Sequence, residues 1–73
     1  MNLNSAIRMA LEISKTPART AAAEIGLSPQ NFGQRLRRDG FSLEEAAAIC
    51  EACGVQLSVE LIYGEQRYVI KSN

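Results

Sequence analysis

The stretch TPARTAAAEIGLSPQNFGQRLRRDG, Thr16 to Gly40, packs two short helical segments around one glycine. Thr16 followed by Pro17 is a cap with proline at the first helical position, and it opens a helix that Gly26 stops. Ala21, Ala22 and Ala23 inside it combine high helix propensity with little bulk, so neighbouring helices can approach closely. Ile25 and Leu27 flank the glycine as core anchors. Ser28 and Pro29 repeat the cap-then-proline device two residues after Gly26, and two helices joined that tightly must cross steeply. Phe32 and Leu36 give the next helix a narrow apolar edge, and Gly40 stops it. The rest of that helix is polar.

On the N-terminal side, Asn4 is a candidate cap for a first helix whose core stripe is Leu3, Ile7, Ala10, Leu11 and Ser14. On the C-terminal side, Ser42 and Glu45 form a capping box for a fourth helix ended by Gly54, with Leu43, Ala46, Ile49, Cys50 and Cys53 as its buried stripe. After Gly54 the period changes to two. Leu57, Val59 and Leu61 alternate with Gln56, Ser58 and Glu60, and "QRYVIK" follows the turn at "YGEQ". This predicts a hairpin with Gly64 and Glu65 as a type II′ loop. The register sets Leu61 opposite Tyr68 and Val59 opposite Ile70, and puts Glu60 diagonal to Arg67 on the other face. An isolated hairpin is marginal in water, so Leu57, Val59, Leu61, Tyr68 and Ile70 are expected to cover the helices or form a dimer interface.

The chain has 73 residues, enough for one domain whose core supplies only about 3 to 5 kcal/mol before a further staple is needed. Dimerisation is the expected staple. Apolar runs are a few residues long, far short of the ~20 that cross a bilayer, and two cysteines are too few for a disulfide framework. With no basic start followed by an apolar segment at the N-terminus, a cytoplasmic protein is expected. There is no histidine, so no imidazole base or metal ligand exists, and the carboxylates fall on what read as exposed helix positions. That weighs against an enzyme. Cys50 and Cys53 supply two of the four ligands zinc wants, and their spacing places both in the buried stripe. Core packing is the reading, with a four-cysteine site between two chains as the alternative; no metal and no cofactor are expected.

Eight basic and eight acidic residues cancel, but their placement is uneven. Lys15, Arg19, Arg35, Arg37 and Arg38 face only Glu24 in the middle of the chain, whereas Asp39 to Glu65 holds six acids and no base. One end should meet an anion and the other should face away from it. On the third helix, Gln30 and Gln34 lie four apart on one face with Asn31 beside them, and amide side chains match adenine in the major groove. Arg35, Arg37 and Arg38 crowd the C-terminal end, where the helix dipole favours cations and phosphates come within reach. A solvated helix end is the alternative for the arginines. Gly33 costs a helix interior about 1 kcal/mol relative to alanine and admits close approach, of the second helix on the structural reading or of DNA.

From about Thr16 to Leu61 the sequence resembles Xre/Cro-type helix-turn-helix proteins of phages and bacterial genomes. The matching residues are Ala22, Ile25, Gly26, Leu27, Ser28 and Phe32, and the run to Gly54 is similar to a small-protein branch with an N-F-x-x-[KR]-L recognition helix. The resemblance implies sequence-specific binding of duplex DNA by a dimer, usually to control transcription. It gives Gln30, Asn31 and Gln34 base-reading places, makes Ser28 a phosphate-facing cap and sets Arg19 at the start of the helix that crosses the backbone. Two residues depart from the pattern. Pro29 stands where relatives often carry a base-donating side chain, and Arg35 stands where many carry an apolar residue.

The expectation is therefore a mainly α chain with a small β element: a four-helix Cro-like domain over 1–54, with its recognition helix at about 28–38, and a C-terminal hairpin over 55–73. Its expected role is a dimeric repressor on a pseudo-palindromic operator, with no membrane association. The alternative on the same fold is a protein-binding module, such as an antitoxin or a phage-encoded inhibitor of a host defence system.

Overall fold

Asn2, rather than Asn4, opens the first helix, its side-chain oxygen accepting the Ser5 N–H at 2.8 Å. The computed structural model describes residues 2–38 and 40–71, and the side chains of all of these except Ile70 and Lys71. Helix α1 spans Leu3–Ser14. Asn4 lies on its inward side, 7% exposed, and its amide donates to the carbonyl of Leu36. A carbonyl in the last turn of a helix has no partner of its own, and Asn4 supplies one across the domain. The local sequence signal for a cap was right in kind and two residues late.

Helix α2 spans Ala18–Glu24 and starts without a side-chain cap. Thr16, expected there, instead shares a 2.7 Å hydrogen bond with Ser14, and the Pro17 carbonyl begins the ladder by accepting from Thr20 at 3.0 Å. Its close matches the expectation. Gly26 is left-handed, the Leu27 N–H reaches the Ala22 carbonyl at 2.9 Å and the Gly26 N–H the Ala23 carbonyl, which is the paired closure that glycine permits. Gly54 closes the fourth helix in the same way. At the end of α1 the left-handed position is taken by Lys15, at φ 56°. A side chain there is strained, and glycine would relieve it.

Helix α3 spans Pro29–Arg37, capped by Ser28, and α4 spans Leu43–Ala52, opened by the full Ser42–Glu45 capping box. Phe32, Ile7, Ile49, Ala21, Ala22, Ala46 and Phe41 form the core, the first six of them fully buried. The small side chains of Ala21 and Ala22 let α2 lie against both α3 and α4. Leu43 departs from the expected stripe: it is 44% exposed, because it sits in the first turn of α4 at the open end of the helical layer. Cys50 is buried and Cys53 half-buried, both as free thiols, and burial pushes the Cys50 thiol above its ordinary range.

Strands β1 (Ser58–Tyr63) and β2 (Gln66–Lys71) pair antiparallel, with Leu61 opposite Tyr68 and Tyr63 opposite Gln66. Gly64 has φ 61° while Glu65 keeps a negative φ, which identifies the II′ loop. Glu60 and Arg67 form an ion pair at 3.2 Å on the opposite face from Leu61 and Tyr68. Leu57, expected at a dimer interface, packs against the chain's own core. Ile70 pairs through its backbone with Val59, and its side chain lies outside the described residues. The molecule is mainly helical with a small two-stranded antiparallel sheet at its C-terminus, and no described helix is long and apolar enough to cross a membrane.

Candidate nucleic-acid interface

Ser28 fixes the start of α3. Its hydroxyl accepts the Asn31 N–H at 3.1 Å, and Pro29 fills the first position, where no N–H is needed. From there each residue advances the helix by about 100°. Phe32, fully buried, and Leu36, half-buried, define the inward side. Phe32 also meets the ring of Phe41 at 5.3 Å, so the helix is anchored both to the core and to the loop before α4.

Gln30, Gln34, Arg37 and Arg38 fall opposite this anchor, within a sector of about 100° by the same helical advance. Gln30, Arg37 and Arg38 are exposed and Gln34 is half-buried. Asn31 is exposed at the margin of the sector, and Arg19 is exposed on α2. Among the described residues the only ion pairs are Arg35–Glu45 and Arg67–Glu60, so Arg19, Arg37 and Arg38 keep their charges unneutralised by another described side chain. This face offers amide groups near its N-terminal end and guanidinium groups near its C-terminal end. Such a face can hydrogen-bond planar polar edges and hold phosphates.

Arg35 takes a different position from its two neighbours. It bridges to Glu45 at 2.5 Å, donates to the Gly40 carbonyl through both Nε and Nη2, and stacks over Phe41 at 4.8 Å from the ring centre. The Arg35 hydrogen bond and the Ser42 N–H together hold the Glu45 carboxyl below the usual carboxylate range. Arg35, expected at phosphate, thus directs its Nε and Nη2 donors into the α3–α4 corner. The resemblance hinted at this, since Arg35 stands where many Xre/Cro-type proteins carry an apolar residue. Its hydrocarbon stem and flat head fill that place against an aromatic ring.

Gly33 emerges as a residue of the site. Among the described residues, a Cβ there would meet only the Arg37 Nη1 atom, at 3.6 Å, and nothing from α2. Close packing of the second helix is thus not the reason for this glycine. The position is covered by the Arg37 side chain.

Comparison with protein-family models, with curated proteins and with solved structures gave no match.

Proposed function

We propose that this chain is a sequence-specific duplex-DNA-binding transcriptional regulator of the Xre/Cro helix-turn-helix kind, acting as a dimeric repressor. In this reading α2, the turn at Gly26 and α3 form the reading unit, with α3 in the major groove. Gln30, Asn31 and Gln34 read base edges, while Arg37, Arg38, Arg19 and Ser28 hold the flanking phosphates. The observation that supports it most is the outward face of α3, where amides and guanidiniums that no other described side chain neutralises share one sector opposite Phe32 and Leu36. Gly33 adds to it, because a helix-weakening residue covered, among the described residues, by the movable end of Arg37 suits a close-approaching partner. Two copies joined through the apolar hairpin face, on which Leu61 and Tyr68 are 59% and 52% exposed, would present two such helices to half-sites about one helical turn apart.

A second reading, a protein-binding module on the same fold, draws support from Tyr63, 79% exposed at the hairpin tip, and from Ile62 and Val69 on the hairpin's other face. A salt series separates the two. Duplex binding measured by fluorescence anisotropy should weaken steeply as salt rises if phosphates are neutralised. No binding at low salt, or binding indifferent to salt, would favour the protein-binding reading.

A further inference from the structure

The hairpin's apolar face begins on the chain's own helices and then leaves them. Along β1 and the residue before it, Leu57 packs on the core, Val59 is half-buried, Leu61 is 59% exposed and Tyr63 is 79% exposed. The distal half overhangs the body, and the molecule measures 42 × 23 × 19 Å. On this face the overhang's Leu61, Tyr63 and Tyr68 are uncharged; Glu60 and Arg67 pair on the opposite face and Glu65 lies in the loop. The Tyr68 hydroxyl already meets the Gln66 side chain at 2.7 Å, so the ring can be buried without orphaning its polar end.

A second uncharged surface lies on the helices. Met9 and Ile13, one turn apart on α1, are 47% and 67% exposed, and with Val55 they border a groove. The groove continues past Leu57 toward Leu3 and Leu43, and no charged residue lines either part. A folded monomer of 8.0 kDa exposes about 4,450 Å², whereas this chain exposes 5201 Å². Interface centres are also depleted of charge and enriched in Tyr and Met.

We infer that the occupant of the α1 groove is the hairpin tip of a second copy, exchanged reciprocally about a two-fold axis, so that Leu61, Tyr63 and Tyr68 of each chain cover Met9 and Ile13 of the other. This rests on the self-association in the proposed function and specifies its geometry. Two hairpins packed only on each other would leave Met9, Ile13 and Leu43 in water. Reciprocal exchange covers both surfaces with one contact used twice, as a closed two-fold interface requires.

The test needs no DNA. The full chain carrying Tyr63→p-benzoyl-L-phenylalanine is mixed as equal parts of 14N and 15N protein, irradiated, and its mixed-isotope cross-links are located by mass spectrometry. Cross-links from position 63 to residues 9–13 of the other isotope are expected. Cross-links to the other chain's hairpin or elsewhere, or none between chains, would overturn the exchange. Ile13→Glu, at an exposed position, should weaken dimerisation at least tenfold by analytical ultracentrifugation with an unchanged circular dichroism spectrum. An Ile13→Glu dimer as tight as the parent would also overturn it. Expected cross-links without duplex binding would sink only the DNA reading, and salt-sensitive duplex binding with cross-links elsewhere would sink only the exchange.

Discussion

The guanidinium of Arg35 and the carboxylate of Glu45 meet at 2.5 Å, tying the last turn of α3 to the capping box of α4. Glu45 serves two donors at once, the Arg35 side chain and the Ser42 N–H, and Arg35 also holds the Gly40 carbonyl. With Asn4 donating to Leu36 from α1, the C-terminal end of α3 is gripped from two helices. The orientation of the outward face depends on that grip.

The Glu45 pKa is lowered in the folded chain, so the contact's stabilising contribution is present above the ordinary value of 4.5 and is lost as pH falls through the lowered value. The melting temperature of the parent should drop on acidification below about pH 4.5 more than that of Glu45→Gln, which cannot titrate there. Parallel melting curves in that window would remove Glu45 from the account.

If Arg35 is structural and Arg37 and Arg38 touch phosphate, their alanine variants differ in kind. Arg37→Ala and Arg38→Ala should weaken binding to all duplexes alike and each lower the slope of log K against log salt by about 0.9. Arg35→Ala should reduce affinity without changing that slope. Anisotropy titrations at several salt concentrations read both quantities. An Arg35→Ala slope change equal to the others would return it to the phosphate contacts.

Gln30→Ala and Gln34→Ala should cost about 1 to 3 kcal/mol on the cognate site and little on random duplex. Competition with unlabelled random DNA separates the two. Equal losses on both would end the base-reading assignment.

Gly33→Ala should make the chain more stable and the complex weaker. Alanine stabilises a helix interior by up to about 1 kcal/mol, and the only described atom its Cβ meets is the movable end of Arg37. The same methyl would stand beside the outward sector, under the Arg37 guanidinium. Urea unfolding and duplex titration on one preparation measure both signs. A destabilised variant would mean that the backbone or α2 needs the glycine after all.

Much of the architecture was legible because it is written in short-range chemistry. The Ser28 and Ser42 caps, the glycine closures at Gly26 and Gly54, and the hairpin register through Gly64 each depend on residues within a few positions of one another. What could not be read depends on contacts across the fold. Asn4 looked like a cap because its true partner, the Leu36 carbonyl, is 32 residues away. Thr16 looked like a cap because nothing local announced its bond to Ser14. Arg35 resembled its neighbours until Glu45 and Phe41 were brought beside it. Leu43 fitted the α4 stripe by angle, yet angle does not reveal that the helix end lies open. Of the candidate site, Gln30, Arg37 and Arg38 are exposed and Gln34 half-buried, while the Arg37 side chain that covers Gly33 could not be read from spacing.

The central claim, that the outward face of α3 reads duplex DNA, is tested most directly by selecting bound fragments from a library of random duplexes with the purified chain at moderate salt. Enrichment of one pseudo-palindrome whose half-sites lie about one helical turn apart is expected, with loss of that enrichment when Gln30 and Gln34 are both alanine. A pool that stays random, or an enriched site that survives the double substitution unchanged, would contradict it.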